Sequence, residues 1–255
     1  MKKRGQVSIF VILAVVFVAA IALILFINVE SEKEKLGRDY FLKNNLQPSL
    51  KNIQDFILEC HEEVSKAGLD YIGIRGGYYE VSEKHYTINS IMIPYYYHQG
   101  EVIKPDHERI GLELSNYVDD NINNCLDKIK FLNFNLDYDK SETKVRIDKD
   151  KVVINTNFPV KIENEAEITN FKLSQYELSL ASPLYRMLEI ADFVTESSKQ
   201  DPDLICLSCL KDYANERELY VDLISIDDKS TLIMFLEKIK TEEKPYIFQF
   251  INKYN

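Results

Sequence analysis

Residues 7–29 read VSIFVILAVVFVAAIALILFINV, 23 residues without a charge and with only Ser8 and Asn28 polar. At about 1.5 Å of rise per residue this is roughly 34 Å of helix, enough to cross a hydrocarbon core of about 30 Å. A secretory signal peptide has a shorter apolar region that ends at a small-residue cleavage site. Here the small-x-small triplet Ala20-Ile21-Ala22 lies inside the run, and residues 23–29 offer no such site, so a retained span is favoured. Lys2, Lys3 and Arg4 precede the run, whereas Glu30, Glu32 and Glu34 follow it. Basic flanks stay on the cytoplasmic side. The pattern therefore predicts a single-pass membrane protein with a cytoplasmic N-terminus and an extracellular C-terminal domain.

Working outward from the span, the charge divides in the same place. The chain has 255 residues, 31 Lys+Arg against 41 Asp+Glu, and a formal net charge of −10. Residues 1–29 hold three of the bases and no acid, which leaves 28 bases and all 41 acids, a formal −13, on residues 30–255. An acidic exported part argues against a nucleic-acid partner, which calls for a basic surface. With 45% hydrophobic residues the composition is that of a folded domain and excludes collagen-like or wholly disordered chains.

On the cytoplasmic side, Lys3-Arg4-Gly5-Gln6 stands directly before the apolar run. This junction resembles the class III signal peptide of archaeal type IV pilins and archaellins. The resemblance implies that a prepilin peptidase cuts between Gly5 and Gln6, so that residues 1–5 are a leader. Residues 6–29 would then be a transmembrane and assembly helix that packs with copies of itself or with other pilin-like subunits. Cutting there removes the basic anchor, so the bare helix can leave the bilayer. The Glu that bacterial pilins carry at the fifth mature position is Phe10 here, and archaeal relatives commonly lack it. The alternative is a plain, uncut signal anchor.

On the outer side, residues 30–47 are mostly charged or polar and read as a stalk, with residues 48–255 as one α+β domain of several helices and antiparallel strands. Pro48 suits the first turn of a helix. Ile53, Phe56, Ile57, Cys60, Val64 and Ala67 then follow helical spacing over residues 49–69, with His61 on the polar flank. Gly76-Gly77 forms a turn where positive φ is easy. Residues 91–97, IMIPYYY, read as a strand that Pro94 makes an edge or loop-flanked one rather than a central one. A second helix is predicted over 107–129. Residues 134–180 read as a β-meander, with strands at 135–139, 144–148, 152–155 and 168–178. Pro183 opens a third helix through Val194, a short helix holds Cys206 and Cys209, and strands at 219–226, 231–236 and 246–251 close the chain.

Chemistry-bearing motifs are sparse. No G-x-S-x-G, Walker loop or G-x-G-x-x-G occurs, and the GIRGG segment at 73–77 lacks the Lys-Ser/Thr of a phosphate loop. His61-Glu62-Glu63 is not HExxH, because Ser65 stands where the second His belongs. His85, His98 and His107 have no recognisable spacing to a nucleophile, and Asp119-Asp120 and Asp227-Asp228 read as solvated charge. The sequence thus supports neither an enzyme nor a metal or cofactor site. An outer location makes disulfides plausible. Cys60–Cys125 is the preferred pair because both lie on apolar faces of predicted helices, which leaves Cys206–Cys209; buried free thiols are the alternative. Cys206-Leu207-Ser208-Cys209 also admits a metal or redox reading, although no further ligand pair and no βαβ rhythm accompanies it.

Tyr78, Tyr79, Tyr95, Tyr96 and Tyr97 are the candidate binding patch, since tyrosine joins apolar area to a polar tip. Such a patch would face a glycan, another subunit or a host surface. Strand alternation opposes this for part of the set, placing Tyr96 or its neighbours in the core. A further resemblance rests on FILEC at 56–60, GLDYIGIRGGYY at 68–79, IPYYY at 93–97 and NCL at 124–126. Together with the KRGQ start, these resemble uncharacterised membrane-anchored proteins of small-genome archaea, and imply a location and an architecture only. The combined expectation is a pilin-like cell-surface subunit, minor, tip or adhesin-like. An unprocessed, signal-anchored binding module for a ligand or partner protein is the alternative, and an anchored thiol oxidoreductase using Cys206 and Cys209 is a third.

Overall fold

Ser49 opens the first helix as its N-cap, its hydroxyl accepting from the Asn52 amide at 3.3 Å. The computed structural model describes residues 49–127, 134–163, 168–200, 206–238 and 244–254. The leader, the span and the stalk expected at 1–47, and Pro48, lie outside the described residues. Among the described residues no helix is long and apolar enough to cross a membrane.

Helix α1, Leu50–Gly73, buries two ridges at helical spacing: Ile53, Ile57, His61, Ser65, Leu69 and Gly73 four apart, and Phe56, Cys60, Gly68 and Ile72 beside them. It ends at Gly76-Gly77, which take φ of +56° and +83°, with the Gly77 amide donating to the Ile72 carbonyl at 2.7 Å. Helix α2, His107–Leu126, is N-capped by Asp106 and packs on α1. Two further helices follow, α3 at Leu184–Gln200 and α4 at Leu207–Glu216. The expected α+β class is observed, with four α-helices and three sheets among the described residues.

The large sheet joins early and late strands. β1 (His85–Ile88), β2 (Ile91–His98) and β3 (Glu101–Val102) are consecutive hairpins. Their two-residue turns, Asn89-Ser90 and Gln99-Gly100, all have positive φ, as type I′ turns require. β10 (Leu219–Asp227), β11 (Ser230–Glu237) and β12 (Ile247–Lys253) form an antiparallel ladder whose last strand runs parallel to β2. The order is β1-β2-β12-β11-β10, with β3 also on β2. Among the described residues, 91–94 of β2 pair with β1 alone, whereas Tyr97 and His98 pair with both β12 and β3, so the edge reading drawn from Pro94 holds at the proline and fails beyond it. The proline is tolerated because it stands at a handover: β1 pairs with residues 91–94, and β12 pairs from Tyr95 onward.

Residues 134–181 form two interleaved three-stranded sheets rather than a meander. One has the order β4-β7-β8 (Asn135–Tyr138, Pro159–Glu163, Ile168–Lys172). The other has the order β5-β6-β9 (Glu142–Asp148, Lys151–Asn157, Leu178–Ala181). The strand expected at 168–178 ends at Lys172 as β8; the 3-10 turn Leu173–Gln175 follows, and β9 of the other sheet begins only at Leu178.

Among the described residues three clusters make the core. The largest joins Leu69 and Ile72 of α1, Ile110, Leu114 and Val118 of α2, helix α3 and the aromatic face of the large sheet. A second joins Ile53, Phe56 and Ile57 of α1, Ile122 and Leu126 of α2 and the β4-β7-β8 sheet. The third, with Ile93, Tyr95, Leu232 and Ile251, includes residues of β2, β11 and β12. Each of α1 and α2 thus contributes one half to the first cluster and the other half to the second, and the Cys60–Cys125 disulfide joins them in the second. Closing that loop of 65 residues in the unfolded chain is worth about 4 kcal/mol.

The seat of α1 is tight at its glycines. A Cβ on Gly73 would come within 2.4 Å of the Ile247 carbonyl oxygen and 2.9 Å of the Tyr246 hydroxyl. Alanine normally stabilises a helix over glycine by about 1 kcal/mol. At Gly73 the overpacking wins, and Gly73→Ala is expected to lower stability by about 1–3 kcal/mol in urea titrations. An unchanged or raised midpoint would show that α1 does not sit this close to β12.

Candidate functional site

Tyr95, Tyr96 and Tyr97 are core residues, exposed by only 8%, 1% and 1%. The Tyr96 ring stacks on Phe250 at 4.2 Å between centroids, and its hydroxyl donates to the Gly76 carbonyl at 2.9 Å. Burial holds that phenol well above its usual pKa. Consecutive burial follows from a strand covered on both faces, with Tyr96 in the first core cluster and Tyr95 in the third. These three residues do not line a surface patch, which corrects that part of the sequence reading. Tyr78 is half-buried against the first cluster. Tyr79, also half-buried, meets Tyr71 and Tyr117 with centroids 5.9 Å and 5.3 Å away, and Arg75 lies over the Tyr71 ring at 4.7 Å. Tyr71, Tyr79 and Tyr117, drawn from α1, the following loop and α2, thus form one half-buried aromatic group.

That loop is pinned from below. Glu113 of α2, with its side chain 2% exposed, accepts from the amides of Tyr79 and Glu80 at 2.9 Å and 3.0 Å and pairs with Arg109 at 2.5 Å. Two amides and a guanidinium thus meet this buried carboxylate and hold the loop to α2.

Both disulfides expected from the sequence are present, Cys60–Cys125 and Cys206–Cys209. Cys206 is the N-cap of α4, its sulfur accepting from the Cys209 amide at 3.3 Å, and Cys209 is exposed. Helix α4 follows α3 and precedes an antiparallel strand, so no βαβ unit surrounds the pair. Among the described residues no group of three or more His, Cys, Asp or Glu is placed to hold a metal ion.

The most organised polar feature is one the sequence reading placed elsewhere. His61 is 2% exposed, not on a polar flank, and its Nε2 lies 2.9 Å from the Thr156 hydroxyl of β6. Thr156 lies 2.9 Å from the Thr143 hydroxyl of β5, and Thr143 donates to Asp119 of α2 through its hydroxyl at 2.7 Å and its amide at 3.1 Å. Asp119 is therefore an acceptor in the fold rather than free surface charge. The carboxylate at one end sets the direction of the whole chain. Thr143 spends its hydroxyl proton on Asp119, so Thr156 must donate to Thr143, and His61 must donate from Nε2 to Thr156. Nδ1 then keeps the lone pair. The i+4 series Ile53, Ile57, His61, Ser65, Leu69 was the available signal that His61 faces inward.

His61 also forms part of the wall of an open cavity of about 570 Å³, with Glu59, Glu62, Glu63 and Lys66 of α1 opposite Tyr176, Glu177 and Leu178. A second cavity of about 460 Å³ shares Glu62 and Lys66 and continues past Leu69 and Asp70 to residues 179–183, Glu237, Lys244 and Tyr246. The two lie end to end between α1 and β9. Glu62 and Lys66 pair at 2.5 Å on the shared wall.

Burial lowers the His61 pKa from 6.5 to about 4, outweighing the opposing field of Glu62. The neutral imidazole is the folded form, so its full contribution is present above about pH 6.5 and is lost as pH falls toward 4, where the unfolded chain binds the proton first. Wild-type protein is expected to lose on the order of 3 kcal/mol more stability between pH 7 and pH 4 than His61→Gln, measured by urea unfolding at each pH. Parallel pH profiles for the two proteins would contradict a buried neutral His61.

Comparison of the chain with protein-family models, with curated proteins and with solved structures returns no match.

Proposed function

We propose that this chain is a pilin-like, single-span cell-surface protein, a minor, tip or adhesin-like subunit whose acidic α+β head is held outside the membrane. Residues 6–29 are its membrane and assembly helix, and Gly5 and Gln6 are the processing site for a prepilin peptidase. Residues 30–47 carry the head away from the bilayer. The observation that carries the reading is the pair of disulfides in the head, Cys60–Cys125 and Cys206–Cys209. Disulfides persist in oxidising surroundings and are rare in the cytosol. They agree with the orientation that Lys2, Lys3 and Arg4 assign to the span. The role is one of assembly and contact rather than catalysis.

The open groove between α1 and β9 favours a second reading, an unprocessed signal-anchored module that binds a ligand or partner protein. Intact-mass spectrometry of the membrane-extracted protein separates the two. A mature chain beginning at Gln6 is expected, and Gly5→Leu is expected to block its formation. A chain that keeps Lys2 in both proteins would contradict pilin-type processing and leave the anchored module.

A further inference from the structure

We infer that the groove between α1 and β9 is a docking site for an extended, lysine- or arginine-rich peptide segment of a partner protein, which adds a strand to β9. The inference concerns the head alone and is independent of whether residues 1–5 are removed.

β9 ends the order β5-β6-β9, so among the described residues no strand pairs with its outer side. The Ser182 amide donates to the Asp150 carbonyl of the neighbouring hairpin at 3.1 Å, which sets the phase of the ladder. By alternation Leu178 and Leu180 bond to β6, while Ser179 and Ala181 turn their N–H and C=O groups outward. Neither a proline, a lysine nor a bulge blunts this edge, and Ser179 and Ala181 are exposed. An outward strand edge facing a helix across a cleft is the geometry by which peptides are captured through main-chain hydrogen bonds.

The groove has the length and the charge for such a segment. Its α1 wall runs from Leu58 to Asp70, about 18 Å, which matches five or six extended residues at about 3.3 Å each. Six carboxylates line the two cavities, Glu59, Glu62, Glu63, Asp70, Glu177 and Glu237, against two lysines, Lys66 and Lys244. Leu58, Leu69, Leu178 and Leu180 supply apolar lining between them. A strand alternates its side chains between two faces, so the complementary peptide alternates basic and apolar residues.

The test uses the full-length chain in micelles of an uncharged detergent and a fluorescein-labelled hexapeptide of alternating lysine and valine, read by fluorescence anisotropy. Two controls are the hexapeptide of alternating glutamate and valine and the lysine peptide N-methylated at every second amide. The lysine peptide is expected to bind at least tenfold more tightly than either control, and Glu62→Lys is expected to weaken it severalfold. Hydrogen exchange of the Ser179 and Ala181 amides is expected to slow at least tenfold on adding the lysine peptide. No binding, equal binding of the N-methylated peptide, or protection of β10 in place of β9 would overturn the proposal.

Discussion

Helix α1 belongs to two cores at once, and the rest of the head is arranged around that sharing. Its N-terminal half closes the cluster against the β4-β7-β8 sheet, and its C-terminal half closes the cluster against the large sheet. α2 runs beside it in the opposite sense and divides in the same way. Leaving this seat would open both clusters, so neither sheet has a complete apolar cover without the helix pair. The Cys60–Cys125 disulfide, the small residues Gly68 and Gly73, and the Tyr246 hydroxyl bonded to the Leu69 carbonyl at 3.3 Å act at successive points along one helix. The added Cβ that would meet the Tyr117 ring at 2.5 Å shows how closely α2 approaches at Gly68.

Two apolar clusters that meet on one helix leave a seam, and polar groups occupy it in an ordered way. The chain from His61 through Thr156 and Thr143 to Asp119 ties α1, β6, β5 and α2 without an orphaned donor along its length. Directionality makes the chain specific: reversing any one bond would leave two donors or two acceptors facing each other. Next to this fixed interior, the outer side of α1 remains open as the acidic groove along β9. The same helix therefore separates a part of the head built for rigidity from a part with room for a partner.

Much of this was legible in the sequence where one face of an element is dry. The periodicity of α1 and α2 and the three closing strands lie near their observed positions, and both cysteine pairs follow from where their residues fall. Reading failed where an element is covered on both sides or broken within an alternating stretch. Tyr95, Tyr96 and Tyr97 look like surface residues when judged by their hydroxyls, yet β2 is covered on both faces and holds all three. Pro94 marks an edge only locally, because β2 changes partner at that residue and gains a second one by Tyr97. The alternation over residues 168–178 continues through a 3-10 turn, and periodicity alone carries no sign that β8 stops at Lys172. At His61 the position in the i+4 ridge, and not the polar residue type, decides that the side chain faces inward.

Native-state hydrogen exchange of the α1 amides from Cys60 to Ile72 tests the shared-helix account most directly. If α1 closes both cores, these amides exchange only through global opening, with the same free energy and denaturant dependence as the most protected amides of β11 and β12. Exchange of α1 at a distinctly lower free energy than β11, with a shallow denaturant dependence, would mean that the helix leaves its seat while the sheets persist, and would contradict the account.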